Sequence, residues 1–351
     1  MSPSHFSLQD KVRFLSRPGV LEADPGAVEA IETHFAWVFL TRHHAFKLKK
    51  PMRWQQMDYR HLNGRERGCR EELRLNRRLA PDVYEDVIPL RSKGHSLSLS
   101  DGDCIEDWLL RMRRLSPERM LSAMIPAMAP HEIAALVDAL TRFFRNAESN
   151  PIEASEYILR LRRQIELNFL VLHSYPREID QMLVSRVARA QLSLLERARS
   201  SIGPRGRYVV EGHGDLRVEH VHLGPPVVVI DCMESDRDLR LLDPAEDFAL
   251  MAFELDRAGA FELSQTLTHR ICAELQPSPA DAVFGFYKSL RAAARAKVSA
   301  WHLEEPAYAA QAPFWSSRAE SCLADALRYA QAAQGSLKPS RPQSAMRPEA
   351  P

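Results

Sequence analysis

The sequence His213-Gly214-Asp215-Leu216-Arg217-Val218-Glu219-His220, followed by Val227-Val228-Val229-Ile230 and then Asp231, decides the fold of this chain. The glycine before Asp215 allows a tight turn that presents the carboxylate at the edge of a cleft. The valine-rich run predicts a buried strand, and Asp231 stands at its carboxyl end. The pattern therefore predicts two carboxylates that are brought together by a short hairpin.

The composition is that of an ordinary globular protein. The chain has 351 residues, of which 45% are hydrophobic and 26% charged, with a formal net charge of +1. Such a balance predicts attraction neither to nucleic acid nor to a membrane. No apolar stretch approaches the roughly eighteen residues of a membrane span, and the first residues lack the apolar segment of a signal peptide. We therefore expect a cytoplasmic protein without a nucleic-acid or membrane partner.

The cysteines give no sign of a metal or disulfide framework. The chain has five of them, widely scattered and never arranged as Cys-x-x-Cys. This arrangement argues against a zinc knuckle and against a set of stabilising disulfides. We expect buried or chemically indifferent thiols.

Local periodicity divides the chain into two compositions. Residues 27–115 read as a β-rich lobe, with a hairpin over 36–41 and 45–50, a helix over 65–79, and strands over 82–90, 96–100 and 108–115. Residues 116–334 are mostly helical and are interrupted by the motif hairpin; the helices are predicted over 130–147, 155–172, 177–199, 244–258, 260–275, 280–299 and 314–334. Residues 1–26 form an N-terminal extension, and residues 335–351, rich in Pro, Ser and Ala, predict a disordered tail.

Asp215 and its neighbours suggest a site that handles a hydroxyl group. Asp215 would accept or orient the proton of a substrate hydroxyl. His213 is either a brace for the loop, which we favour, or a second base. Arg217 is placed to reach a transferring phosphoryl group, with a surface arginine as the alternative. Asp231 is the kind of carboxylate that holds Mg²⁺ against phosphate oxygens.

A lysine on the predicted hairpin completes the candidate site. The period of two puts Lys47 and Lys49 on the face opposite Phe46. Lys47 follows Ala45 in the way that the lysine follows the alanine in Val-Ala-Ile-Lys, and we expect it to contact nucleotide phosphates, with Lys49 as a competitor. A glutamate on the helix over 65–79 would hold the lysine, because an unpaired ammonium in a cleft is unfavourable. Glu72 is the first candidate and Glu71 the second.

These motifs resemble the aminoglycoside phosphotransferase superfamily. The resemblance is carried by His-Gly-Asp-Leu, by Val-Ile-Asp and by Leu242-Asp243-Pro244-Ala245-Glu246-Asp247. It covers residues 27–300 and implies an α+β, bilobal protein-kinase-like fold, with ATP and Mg²⁺ as cofactors (Mn²⁺ as an alternative) and Asp247 as a support of the catalytic loop. The β-rich lobe would then bind the nucleotide.

A poorly characterised bacterial branch of that superfamily is further resembled by residues 33–41, 45–51 and 72–81. In that branch the kinase-like domain is often fused to a P-loop ATPase domain. The sequence contains no Gly-x-x-x-x-Gly-Lys-Ser/Thr. We therefore expect the chain to be a stand-alone kinase-like part.

Two features depart from the superfamily pattern. Its metal-binding Asn is His220 here, and imidazole prefers softer metals to Mg²⁺. Glu219 would supply an oxygen instead, although neighbouring strand residues face opposite ways. The segment over residues 31–35 contains no glycine to cradle phosphates, a role that the side chains of Thr33 or His34 would partly fill.

Three functions remain open on this evidence. The first is an ATP- and Mg²⁺-dependent phosphotransferase acting on a hydroxyl of a small molecule, or else of a protein. The second is a nucleotide-binding regulatory module, with a possible protein partner, whose transfer is impaired by His220. The third is a hydrolase whose transition metal would be bound by His213, His220, His222, Asp215 and Asp231, with His220 and His222 on one face of a strand. The acceptor and the oligomeric state are not determined by the sequence.

Overall fold

The computed structural model describes residues 6–23, 26–54, 57–275 and 277–337. The chain is mixed α+β, with an antiparallel sheet in its N-terminal part and helices in its C-terminal part, so the predicted class is confirmed. It divides into two compact units, which comprise Met1–Asn150 with Val210–Glu274, and Pro151–Val209 with Leu275–Pro351. The lobe boundary predicted at residues 115 and 116 falls inside the first unit and stays a prediction.

The first unit is built around a six-stranded antiparallel sheet. Its spatial order is β1-β2-β3-β8-β6-β7, with the bounds β1 Glu29–Glu32, β2 Ala36–Leu40, β3 His44–Lys49, β6 Tyr84–Lys93, β7 Ser96–Ser98 and β8 Cys104–Arg113. The predicted hairpin is confirmed as β2 and β3, with Val38 opposite Lys47. Phe46 and Leu48 pack into an apolar cluster with Phe39 and Leu109, which leaves the lysines on the other face as the period of two requires.

Helices make up most of the rest of the first unit. Helix α2 (Leu62–Asn76) packs Cys69 against Val83, Tyr84 and Leu110 of the sheet region. The other helices are α1 (Leu8–Leu15), α3 (Leu121–Met124), α4 (Pro130–Asn146), α8 (Pro244–Arg257) and α9 (Phe261–Glu274). Helix α1 lies in the segment that we predicted only as an extension, and a Ser7–Asp10 capping box begins it.

The first unit also contains three pairs of short strands. The pairs are β4 (Arg53–Trp54) with β5 (Met57–Asp58), β9 (Val210–Glu211) with β12 (Leu241–Leu242), and β10 (Val221–His222) with β11 (Val228–Val229). The last pair is the predicted motif hairpin, but it is only two residues long on each side. His220 precedes it in a 3-10 turn, Val218–His220. The expectation that His220 and His222 share a strand face is therefore wrong.

The second unit is helical. It contains α5 (Ala154–His173), α6 (Gln181–Arg197), α7 (Arg199–Ile202), α10 (Asp281–Trp301) and α11 (Ala312–Ser336). The long helices agree with the periodicity of the sequence to within a few residues, and buried polar contacts such as that between the Tyr157 and Tyr287 hydroxyls, 3.0 Å apart, join them. Residues 338–351 of the predicted tail lie outside the described residues. Within the described ranges, the helices are too short or too polar to cross a membrane.

Candidate functional site

Backbone hydrogen bonds hold the turn that carries Asp215. The buried carboxylate of Asp247 accepts the N–H groups of His213, at 2.6 Å, and of Gly214, at 3.1 Å. Gly214 has φ +84°, a conformation that only glycine adopts readily. A Cβ on Gly212 would lie 2.6 Å from Asp247 Oδ2. The two glycines therefore let the carboxylate of Asp247 lie directly against the turn.

His213 joins the two ends of the motif. Its ring is fully buried, Nδ1 accepts the N–H of Asp215 at 3.3 Å, and Nε2 lies 3.0 Å from the carbonyl oxygen of Ile230. These partners place the proton on Nε2, because a carbonyl oxygen can only accept. Burial lowers the pKa of His213, which favours this neutral form. Both ring nitrogens thus have hydrogen-bond partners in the backbone, as expected for a residue that supports the loop.

Asp231 lies at the other end, in a conformation that is rare for a residue with a side chain. It has φ +60°. Its N–H donates to the buried hydroxyl of Tyr84 at 3.1 Å, and its Oδ1 lies 3.0 Å from Nζ of Lys47. The Lys47 ammonium holds the pKa of Asp231 well below its usual range, against the opposing effect of burial. Asp231 is therefore a carboxylate anion that faces a cation.

Both candidate lysines contact Glu72. Glu72 is fully buried; its Oε1 lies 2.7 Å from Lys47 Nζ and its Oε2 lies 2.6 Å from Lys49 Nζ. Glu71, the second candidate, instead pairs with Arg74 and Arg240. The structure thus brings Glu72, and not Glu71, to the lysines.

The two lysines have different surroundings. The side chain of Lys47 is 17% exposed, whereas that of Lys49 is 2% exposed. Lys49 is enclosed by Glu72, by Glu234 Oε1 at 2.6 Å and by the Tyr59 ring, 4.9 Å from Nζ to the ring centre. Burial opposes the charge of both lysines, but the surrounding carboxylates outweigh it and raise the pKa of each. Of the two, Lys47 has the greater access to a ligand.

His220 lies between the two aspartates. Its Nδ1 is 2.8 Å from the backbone oxygen of Asp215, so this nitrogen carries a proton. Its Nε2 faces Oδ2 of Asp231 at 3.6 Å. Glu219 points elsewhere, to an ion pair with Arg217. His220, which stands at the Asn position of the sequence motif, therefore lies beside Asp231.

Arg217 is not directed at the cavity. Its Nε lies 3.0 Å from Glu254 Oε1 on α8, and the other oxygen of Glu254 accepts the N–H of Val218 at 3.2 Å. Arg217 does not line the cavity described below. It anchors the segment after Asp215 to α8.

A cavity of about 590 Å³ connects these groups. Its walls are mainly apolar, and the polar groups that line it include Lys47, Lys49, Glu72, Asp215, His220 and Asp231. Thr33 and His34, from the turn between β1 and β2, also line it. The Thr33 hydroxyl is engaged by the backbone of Ala36, at 2.9 and 3.1 Å, and so supports the turn itself. A mainly apolar cavity with a few convergent charges is the usual form of a ligand site.

The residues of the site suit a metal ion that takes most of its ligands from phosphate and water and few from the protein. Among the described residues no group of three or more His, Cys, Asp or Glu side chains is arranged to hold a metal. The five-residue transition-metal site therefore has no geometric support; His222 is turned to Ser116 and Gly224 instead. Asp231 is one carboxylate beside a cavity, and Mg²⁺ commonly takes one or two carboxylates together with phosphate oxygens and waters.

Two solved structures have a related architecture. One is the GDP complex of wild-type aminoglycoside 2'-phosphotransferase-IIIa, with a TM-score of 0.51 and 17% identity, over 86% of this chain and 93% of that one. The other is a Plasmodium vivax ethanolamine kinase, with a TM-score of 0.50 and 9% identity, over 85% and 81%. The chain has the protein-kinase-like fold. The predicted bilobal, kinase-like fold class is thereby confirmed.

Sequence comparison gives less about this kinase-like chain. No family model matches it. It is 28% identical over 291 residues to uncharacterized proteins of Mycobacterium tuberculosis and Mycobacterium bovis, over 78% of this chain and 55% of theirs. The chain spans about half the length of these curated relatives, and the predicted relation to a fused ATPase domain stays a prediction.

Three residues near the candidate site were not predicted from the sequence. Glu234 binds Lys49. Asn76, at the end of α2, accepts the N–H of Cys232 at 2.9 Å and donates to the carbonyl oxygen of Glu72 at 2.8 Å. Arg78 donates to the carbonyl oxygens of Glu211 at 2.6 Å and Gly212 at 2.8 Å. No local pattern in the sequence points to any of them.

Proposed function

We propose that the protein is a phosphotransferase that moves the γ-phosphoryl group of ATP to a hydroxyl of a small molecule. The observation that carries the proposal is the convergence of Lys47, Glu72, Asp231 and Asp215 on one cavity. The two solved structures that share its fold are named for small acceptors, an aminoglycoside in one case and ethanolamine in the other. Phosphoryl transfer needs positioning and charge stabilisation, which these groups supply.

In the proposed reaction the acceptor oxygen attacks the γ-phosphorus. A bond forms between that oxygen and phosphorus, the bond from phosphorus to the β–γ bridging oxygen breaks, and ADP leaves. Asp215 orients the acceptor hydroxyl and takes its proton. The carboxylate is suited to this because its turn is fixed by Asp247 and its side chain is 23% exposed.

The opposite wall of the cavity would hold the nucleotide. Lys47 would turn from Asp231 to the phosphate oxygens while its ammonium keeps its contact with Glu72. Asp231 would then hold Mg²⁺ or Mn²⁺ with the phosphates. The ion, when bound, supplies positive charge that balances the charge developing on the transferring group.

A second candidate is a nucleotide-binding module with slow transfer. His220 favours it, because the ring fills the space beside Asp231 and offers no oxygen to a second metal ion. Such a module would bind nucleotide normally and turn it over slowly. A protein partner would then read the bound state.

A screen of hydroxylated metabolites with ATP, and with Mg²⁺ or Mn²⁺, tests the first candidate. We expect at least one acceptor to be phosphorylated, and we expect Asp215→Ala to lower turnover at least about a hundredfold, the scale of a positioned base. Nucleotide affinity should stay within about threefold of wild type, because Asp215 faces the acceptor.

Asp236→Ala, which removes a half-buried carboxylate that does not line the cavity, is the matched control and should retain activity. Equal turnover in Asp215→Ala and wild type would remove the role assigned to Asp215. Tight ATP binding without transfer to any acceptor would favour the nucleotide-binding module. No nucleotide binding at all would contradict both candidates.

A further inference from the structure

Glu72 is shared by two ion pairs that face different ligands. On one side Lys47 bridges Glu72 to Asp231, and on the other Lys49 bridges Glu72 to Glu234. Asp231 is 46% exposed, whereas Glu234 is 14% exposed. The first bridge is the more open to the cavity; Lys49 and Glu234 also line the cavity, but their side chains are largely buried. A ligand can therefore disturb the first bridge and leave the second intact.

The charges of this cluster are not balanced. Lys47 and Lys49 face three carboxylates, those of Glu72, Asp231 and Glu234, which leaves one excess negative charge. The most exposed of the three carboxylates is Asp231, so the excess is best compensated there by a cation from solvent. When phosphates attract Lys47, its charge is shared, and the hold of Lys47 on Glu72 weakens.

A buried carboxylate without a cation would be strongly destabilised. Lys49 prevents this, because it stays between Glu72 and Glu234 whatever Lys47 contacts. Tyr59 donates a further hydrogen bond to Glu234 Oε1 at 3.2 Å. The pair thus fixes both α2, which carries Glu72, and the segment that follows Asp231.

We propose that Lys49 and Glu234 are positioning residues: they form a clamp that holds Glu72 and the segment after Asp231 in place, so that Lys47 and Asp231 can separate and turn to a nucleotide and its metal ion. The proposal rests on the proposed function for the identity of the ligand. Neither clamp residue needs to touch the phosphates. In this arrangement Lys47 is the lysine that contacts the nucleotide, and Lys49 is not.

Hydrogen exchange of α2 tests the clamp without an acceptor. In Lys49→Met and Glu234→Gln, we expect the amides of α2 around Glu72 to exchange at least about tenfold faster than in wild type. The double variant should be no worse than the more affected single variant, because each single change already breaks the same pair. Lys50→Met is the matched control: Lys50 pairs at 2.6 Å with Glu32, which is 56% exposed, and its loss should leave α2 unchanged.

Addition of MgATP gives the readout that distinguishes positioning from simple stability. In wild type, α2 should stay protected when nucleotide binds. In Lys49→Met, nucleotide should speed exchange around Glu72 by a further factor of about ten, because Lys47 then shares its charge with the phosphates. Nucleotide affinity should fall at least about tenfold in Lys47→Met but within about threefold in Glu234→Gln. Glu234→Asp should restore part of the protection.

Several outcomes would overturn the clamp. These are unchanged exchange of α2 in both single variants, additive effects in the double variant, or an affinity loss in Glu234→Gln that equals the loss in Lys47→Met. Failure of the proposed function looks different. In that case no variant and no wild-type protein binds nucleotide, while the coupled loss of α2 protection in the single variants still supports the hold of Lys49 and Glu234 on Glu72.

Discussion

The two ends of the motif are held by different kinds of force. At residues 213–215, the turn is fixed by neutral N–H donors on the carboxylate of Asp247 and by the His213 ring. At residues 231–234, the backbone N–H groups of Asp231 and Cys232 also donate hydrogen bonds, but the side chains are held by ion pairs of Asp231 with Lys47 and of Glu234 with Lys49. Ion pairs with the cavity lysines therefore occur at the second end and not at the first.

This difference indicates how one motif can serve two tasks. Backbone hydrogen bonds do not depend on the charge of a ligand, so Asp215 keeps its place whether or not the cavity is filled. Ion pairs respond to a new charge. Asp231 can therefore exchange Lys47 for a metal ion, and Lys47 can exchange Asp231 for phosphate oxygens. A proton acceptor needs the first property, and a cation site needs the second.

Substitution of the two aspartates should give the largest effect. Asp231→Asn removes the anion and should weaken Mg²⁺-supported nucleotide binding by about a hundredfold. This is the upper end of the loss in affinity that substitutions around a metal site usually cause. Asp215→Asn should change the same affinity by no more than about threefold. Titration with ATP, with and without Mg²⁺, measures both. Equal losses in the two variants would break the distinction between the ends.

A methyl group on Gly214 probes the backbone-held end. Gly214→Ala combines φ +84° with a Cβ that would lie 2.9 Å from Cβ of Met233. Gly259→Ala is a matched control, with φ +76° and no atom within 4 Å. We expect the control to lose about 1–2 kcal/mol of unfolding free energy, and Gly214→Ala to lose at least about 1 kcal/mol more. Chemical denaturation gives both values, and equal losses would mean that the turn has room to relax.

His220 lies between the two ends, and its replacement should have a smaller effect. His220→Asn introduces a neutral oxygen beside Asp231. We expect Mg²⁺-supported nucleotide affinity to rise about tenfold, with a smaller change for Mn²⁺, because Mg²⁺ prefers oxygen to imidazole nitrogen. His220→Ala removes the ring without adding an oxygen. If His220→Ala matches His220→Asn under Mg²⁺, the ring acts by its bulk and not by its ligand chemistry.

Local patterns were enough to predict one part of this site. The Gly-Asp turn follows from residue types at adjacent positions, and the face of Lys47 follows from the period of two in β3. Helical periodicity likewise gave the long helices of both units. These features depend on interactions within a few residues, which a single sequence displays.

Long-range contacts set what the sequence could not give. Glu234 meets Lys49 across 185 positions, and Asn76 meets Cys232 across 156. Nothing in the local sequence specifies such partners. The position of His220 was mistaken for another reason: the ladder after it is only two residues long on each side, so a 3-10 turn replaces the strand expected there. Arg217 was predicted to face the phosphates. Its partner on α8, Glu254, lies 37 residues further along the chain, so no local pattern pointed to this ion pair.

The smallest expected effect is the change in stability that acid causes through Asp231. The folded-state pKa of Asp231 is lowered by Lys47, so its contribution to stability is present above the unfolded pKa of about 3.9 and is lost as the pH falls through the folded value. Because the side chain is 46% exposed, solvent screening should keep that contribution within about 1 kcal/mol. The stability difference between wild type and Asp231→Asn should therefore be constant from about pH 5 to 8 and should shrink below about pH 4. Denaturation at pH 3, 5 and 7 measures it, with Gly259→Ala as a control whose added methyl group meets no charged group. A difference that changed between pH 5 and 7 would show that another titrating group, and not Asp231, holds this end.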